Sequence, residues 1–568
     1  MKSLLSVALT ALIGLGSAAP GWAADAAGLP AASPDRAAAL AKLTVPSFTE
    51  EAQAAGIKQV YAGGFEFFVG GGGAALDCNG DDLPDVVLAG GTNPAALYVN
   101  HSAVGGTLKF VQSVGADLGL PAKDLLDATG AYALDIDGDG IKDIVLLRNA
   151  GNRVLKGLGD CKFKRLDQEW HIDPGHAWTT AFAATWEAGN KFPTLAFGNY
   201  VDRTAPGTPW GTCSDNVLMR PKAGSDTPDY SDATPLTPGY CALSMLFTDW
   251  NHSGEAALRI ANDRQYYRGG EEQMWKVSPG QTPRLYTRSD GWAHLSIWGM
   301  GIAQADLNNN GLPVYAVSSM GDTKLQALEN PSDPSSPQYY DVAFERGATA
   351  QMPYIDGPKL PSTGWHVEFA DFNNDCTQDL FISKGNVEAM ADFAKFDPND
   401  LLLQTPDGKF VESGDAAGMA LNRIGRGAII DDFNRDGMLD ILVINRKTNV
   451  SLFRNLGTAT PWGHRTMGNW VEIEVVDPTT GNRDAVGARL LVKAGTHAET
   501  QIISVGGGHA SGHTGPVHFG LGMIDRGIVR IQWPDGSWSP DYRFNANQHI
   551  VITRGDTLAT YRALDGDG

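Results

Sequence analysis

DIDGDGIKDIVLLRN, residues 135–149, sets carboxylates at positions 1, 3, 5 and 9 of a short turn and follows them at once with a strand-like apolar run. Four like charges within nine residues repel one another and cannot share a core, so the pattern asks for a partner of opposite charge. It returns as DCNGDDLPDVVLAGG at 77–91, DFNNDCTQDLFISKG at 371–385 and DFNRDGMLDILVINR at 432–446. Weaker copies are DWNHSGEAALRIAND at 249–263 and DLNNNGLPVYAVSSM at 306–320. Successive first positions lie 58, 114, 57, 65 and 61 residues apart, and 114 is twice 57, so one more copy is expected between Asp135 and Asp249. WEAGNKFPTLAFGNY from Trp186 fills that place, with the strand kept and the acids gone.

Seven units of about 60 residues are too long for solenoid coils and suit four-stranded sheets that close into a ring. The expected fold is all-β: a seven-bladed β-propeller of integrin-α type over residues 47–461, followed by a small β-sandwich or barrel over 469–554. Gly-rich or alternating strands precede the loops (FEFFVGGGGAAL, GAYAL, GMGIAQA, GWHVEFA, GRGAII), and helical periodicity is scarce. With 568 residues the chain is too long for one core. Residues 1–23 read as a signal peptide, with Lys2, an apolar run from Leu4 to Ala19 and a small-residue cleavage site near Ala23. Residues 24–46 read as a linker and 555–568 as a tail. No later stretch is apolar enough to span a membrane, so no membrane span is expected after cleavage.

Asp plus Glu number 65 against 44 for Lys plus Arg, a formal charge of −21, which excludes the basic footprint of a nucleic-acid binder and makes cations the better partners. A hard divalent cation with a preference for oxygen, Ca²⁺, fits the loops best. The expected ligand sets are Asp77, Asn79, Asp81 and Asp85; Asp135, Asp137, Asp139 and Asp143; Asp371, Asn373, Asp375 and Asp379; and Asp432, Asn434, Asp436 and Asp440. A weaker set is Asp306, Asn308 and Asn310, with Val314 where the ninth carboxylate belongs. An EF-hand is rejected, because position 9 is Asp and a strand follows, whereas that loop ends in Glu at position 12 between helices. Position 6 holds Asp82 and Cys376 in place of Gly in two loops, which puts a tight turn there in question.

The DIDGDGIKDIVLL unit resembles the FG-GAP and VCBS repeats of integrin α-chain propellers. NWVEIEVV from Asn469, NRDAVGARLLVKAG from Asn482, VHFGLG from Val517 and VRIQWPDG from Val529 resemble the ASPIC/UnbV domain, which follows such repeats in the cartilage acidic protein-like family. The resemblance implies a secreted, calcium-binding protein of mostly unassigned activity.

Five cysteines, without CxxC or zinc spacing, allow two disulfides in an oxidising compartment, and Cys213–Cys241 is favoured because it closes a polar, Pro-rich loop. His509, His513 and His518 are the one dense histidine cluster; a transition-metal site is weighed there against solvated or hydrogen-bonded imidazoles. His171, Asp173, His176 and His294 are weak catalytic candidates, pictured at a propeller mouth with Trp292 and Trp298. No GxSxG, Walker, dinucleotide or HExxH motif occurs, and Arg554-Gly-Asp556 is too short to carry weight. Two functions follow: a secreted or periplasmic calcium-binding module for a protein or glycan ligand, or an extracytoplasmic lyase or hydrolase with a His/Asp/Trp pocket on the propeller axis.

Overall fold

Four of the innermost strands are rich in small residues: GAAL at Gly73–Leu76, ATGAYAL at Ala128–Leu134, TTAFAAT at Thr179–Thr185 and GMGIAQA at Gly299–Ala305. Strands that converge on one axis have no room for large side chains on both faces, and Gly and Ala let them approach. Each is followed by a wholly buried run such as DIVLLR at Asp143–Arg148 or DILVIN at Asp440–Asn445, and the outermost strands turn polar, as in Phe110–Gln112.

The computed structural model describes residues 34–562 apart from 114, 174, 208–210, 264–269, 350–359, 389 and 395–396; the expected signal peptide, the first part of the linker and residues 563–568 lie outside them. Among the described residues seven antiparallel sheets of this kind are present. Their innermost strands, Gly73–Leu76, Ala128–Leu134, Thr179–Thr185, Ala242–Thr248, Gly299–Ala305, Gly364–Ala370 and Gly425–Asp431, neighbour one another in order and the last meets the first, as in a propeller. The ring is shut by Phe48–Glu50, which pairs antiparallel with Ser451–Asn455 as the outer strand of the last sheet. A short helix ahead of it, Pro34–Leu40, is tied down by Arg36, whose guanidinium donates to Glu412 and Asp415.

The C-terminal domain has two four-stranded sheets, one built on Asn469–Val476 paired in parallel with Gln548–Thr553, the other on Arg489–Ala494. Val471, Ile473, Leu490, Val492, Phe519, Val529 and Ile550 fill the space between them. Residues read as tail join this domain, since Thr560–Tyr561 pairs with Ile550–Val551 and Arg562 binds Asp82 and Glu474. Cys213–Cys241 is a disulfide, Cys78–Cys161 is a second, and Cys376 is free.

The domain also sends a segment into the propeller. Val505 pairs with Ala184; Gly507 N donates to Met245 O, Gly508 N to Ile302 O and His509 N to His366 Nδ1. Gly73 N donates to Ser511 Oγ, and Ser511–His513 adds to Ala128–Leu134 as a parallel fifth strand. Residues 505–513 therefore touch every innermost strand and fill the axis. Gly72 and Gly130 make this fit possible: a Cβ on them would lie 1.9 and 2.4 Å from the Ala510 carbonyl oxygen.

Candidate metal loops and the domain interface

All six loops that begin with Asp fold in one way. The first carboxylate accepts backbone N–H groups from positions 5 and 6, or 4 and 6, of its own loop: Asp135 from Gly138 (2.8 Å) and Gly140 (2.7 Å), Asp371 from Asp375 and Cys376, and Asp432 from Asp436 and Gly437. Asp77, Asp249 and Asp306 do the same. Wrapping the chain so tightly puts position 6 in the left-handed region even without glycine: φ is +66° at Asp82 and +74° at Cys376, beside +90° at Gly140. Position 4 is left-handed too, at Asn309, Asn374 and Arg435 among others. The substitutions at position 6 thus leave the turn intact. The ninth carboxylate ties the loop to the sheet, as Asp85 accepts from Cys78 N and Asn100 N, and Asp440 from Phe433 N and Asn455 N.

These carboxylates are crowded and dehydrated. Burial pushes Asp85 up to about 7 and Asp135 up to about 6. Asp143, Asp371, Asp379, Asp432 and Asp440 are held well above the ordinary carboxylate range by burial, with neighbouring carboxylates adding to the effect. Third-position oxygens are left over: Asp137 Oδ1 and Asn434 Oδ1 are buried without a hydrogen-bond partner. Oxygens of Asp135, Asp137 and Asp143 lie within 4.8 Å of one another. Buried, unpaired acceptors beside clustered carboxylates are the donor set of a hard cation, so the residues present fit calcium.

The loops differ in ways their sequences hide. Lys156, from the strand Arg153–Gly157, reaches into the second loop and pairs with both Asp137 and Asp139. In the weaker set, Asn308 Oδ1 is taken by Arg346 and Asn310 Oδ1 accepts Leu312 N. In the unit with no acid at its ligand positions the polarity is inverted: Thr194, at the ninth position, donates to Glu187 (2.8 Å), which also binds Arg220 (2.6 Å).

The loops face the C-terminal domain, and their left-handed positions are where it docks. In the last loop Arg435 pairs with Glu472 (2.6 Å) and Trp470 covers Gly437. In the sixth, Asn374 Oδ1 accepts from His518 Nε2 (2.7 Å) and Asn374 O from Gly522 N (2.9 Å). Asp484 accepts Asp135 N (3.2 Å) and pairs with Lys142; Arg489 donates to Gly311 O (2.9 Å).

The histidine cluster is dispersed. His509 is fully buried on the axis, its Nε2 accepting from Gly70 N (3.2 Å) and its Nδ1 donating to Met300 O, and burial pushes its pKa down to about 3. His518 is buried against Trp470 and Asn374, and His513 lies 3.6 Å from Asp431. His509 and His518 are thus hydrogen-bonded imidazoles, one of the alternatives weighed above, and the three share no hydrogen-bond partner among the described residues. A Gly-rich stretch facing Gly-rich inner strands (Gly70 to Gly73, Gly425 to Gly427) was the available signal for this close backbone approach.

The catalytic candidates do not converge. His171 is exposed and pairs with Asp229 (3.0 Å), Asp173 accepts Gly175 N, and His294 pairs with Glu271 (2.8 Å). His176 lies beside Gly151, and Trp292 is buried beside the Arg259 guanidinium. A cavity of about 240 Å³ remains where the axis meets the C-terminal domain, lined by His366, Glu368, Asp431 and His513 among others, and none of the four candidates reaches it. The axial His/Asp/Trp pocket expected for an enzyme is thus not formed by these residues: residues 505–513 occupy the axis.

Residues 77–146 match the FG-GAP-like repeat family and residues 478–559 match the ASPIC and UnbV family. The chain is similar to cartilage acidic protein 1 of Mus musculus, 26% identical over 501 residues, covering 82% of this chain and 70% of that one. The Homo sapiens protein of that name is 26% identical over 501 residues, covering 82% and 69%. Among solved structures, an Agrocybe aegerita lectin that recognises non-reducing terminal N-acetylglucosamine gives a TM-score of 0.38 at 14% identity, covering 66% of this chain and 92% of that one.

Proposed function

We propose that this chain is an extracytoplasmic calcium-binding protein that works as a binding module for a protein or glycan ligand. One observation carries the reading: loops with the same acid spacing fold in the same way around their first carboxylate and leave buried third-position oxygens, Asp137 Oδ1 and Asn434 Oδ1, with nothing to bind. Calcium would supply the positive charge and oxygen coordination that such a set lacks. Its ligands would be Asp77, Asn79, Asp81 and Asp85 and the equivalent sets from Asp135, Asp371 and Asp432, with backbone N–H groups holding each first and ninth carboxylate in place. Two disulfides and the expected signal peptide support an oxidising compartment, secreted or periplasmic. Among the described residues no helix is long and apolar enough to cross a membrane. The test is isothermal titration of the chelator-treated protein with calcium: up to four ions are expected, with Asp432→Ala and Asp440→Ala each removing one, and a wild-type titration without calcium heat would overturn the proposal. A glycan array and a pull-down, each run with and without calcium, then identify the ligand class.

A further inference from the structure

We propose that ion occupancy of the loops controls whether residues 505–513 remain inserted in the propeller axis. The inference rests on the calcium reading above and adds a consequence for the chain itself. Several docking points of the C-terminal domain are loop positions 4 and 6, which take their shape from the wrapped loop. Arg435 and Asn374 stand at position 4, Gly437 and Gly311 at position 6, and each takes its left-handed conformation from the chain closing around Asp432, Asp371 or Asp306. Those residues meet Glu472, His518, Trp470 and Arg489 of the C-terminal domain.

Removing the cation leaves four negative or electron-rich groups facing each other at low dielectric, and they separate. Opening the loop moves positions 4 and 6, and with them the groups on which the domain is seated. The segment on the axis is continuous with that domain at both ends, through Ser504 and through the strand Val517–Gly522. Its hold on the inner strands is non-covalent among the described residues: backbone bonds such as Gly507 N to Met245 O and Gly508 N to Ile302 O, side-chain bonds through His509 and Ser511, and the three-residue parallel pairing of Ser511–His513. The buried oxygen of Asn434, a residue with no exposed surface, marks the last loop as one whose empty state is unsatisfied. In the loaded protein the axis is closed; in the stripped protein the segment withdraws and the channel walls, including Trp365 and His366, become accessible.

The experiment is hydrogen exchange on the full chain in calcium and in excess chelator, read in peptides covering 504–516, with the strand Lys324–Leu328 as the internal reference and calorimetry on the same sample. Expected is a rise of at least tenfold in exchange of 504–516 on chelation while the reference stays protected. Calcium heat with unchanged exchange of 504–516 overturns this inference and leaves the calcium reading standing; absence of calcium heat overturns both. If chelation unfolds the reference strand as well, Asp440→Asn measured in calcium decides: it empties one loop, and faster exchange of 504–516 beside a protected strand Lys324–Leu328 supports the coupling, whereas wild-type exchange there refutes it.

Discussion

Arg435 and Glu472 form the one charge pair between propeller and C-terminal domain, among the described residues, in which both side chains are almost wholly buried, with 5% and 4% of their surface exposed and Nη1 to Oε2 at 2.6 Å. Removing one member leaves the other charged and dehydrated, which typically costs about 3–5 kcal/mol, whereas replacing both with apolar groups of similar volume is close to neutral. Arg435→Met therefore lowers stability by about 3–5 kcal/mol, to which loss of the Nε bond to Asp82 O adds about 1 kcal/mol. Glu472→Leu falls in the same range, and the double variant recovers most of the loss. Burial already pushes Glu472 up to about 7 with Arg435 beside it, and without the guanidinium it rises further. The Arg435→Met penalty is thus larger at pH 8 than at pH 5, where the acid is neutral. The assay is urea unfolding of the four proteins of the cycle in millimolar calcium at both values of pH. A single-variant loss below about 1 kcal/mol, or additive single effects, would refute a seated, dry interface.

Lys156→Met frees Asp137 and Asp139 from their ammonium partner. Titration should show one calcium site tightened by about fivefold, equivalent to about 1 kcal/mol; unchanged or weaker binding contradicts competition. His549 is buried, neither ring nitrogen has a hydrogen-bond partner, and burial, aided by Arg435 and Arg562, pushes it down to about 3. Its folded pKa lies below the unfolded value near 6.5, so it costs stability as the pH falls through 6.5 towards 3, amounting to about 2 kcal/mol at pH 5. His549→Leu should therefore gain about 2 kcal/mol on the wild type between pH 7 and pH 5 in denaturant titrations, and a pH-independent difference would contradict a neutral, buried imidazole.

Local chemistry made the loops legible. Position 1, 5 and 9 acids recur at fixed spacing, and the wrap they impose holds Asp82 and Cys376 in the same conformation as glycine. Cys213–Cys241 was readable because both cysteines bracket one polar loop. What escaped the sequence is what depends on distant partners. Lys156 is 17 residues from Asp139 and arrives from a neighbouring strand. His509 meets Gly70, 439 residues away in the chain. A histidine in a Gly-rich stretch ordinarily sits at the surface, and only the assembled ring supplies seven walls to bury it. Arg435 and Asn374 lie between ligand positions, and nothing near them in sequence shows that position 4 points at another domain.

The three residues Phe48–Glu50 that shut the ring find their partner strand at Ser451–Asn455, near the other end of the propeller. A chain emerging from the ribosome or a translocation pore must therefore carry its opening strand unpaired until nearly all of the repeat region has been made. Premature termination anywhere before residue 451 would leave an unsealed arc with two raw edges, a species open to proteases and to self-association. Closure of the ring thus waits for residues 451–455, which are made after all the other blades.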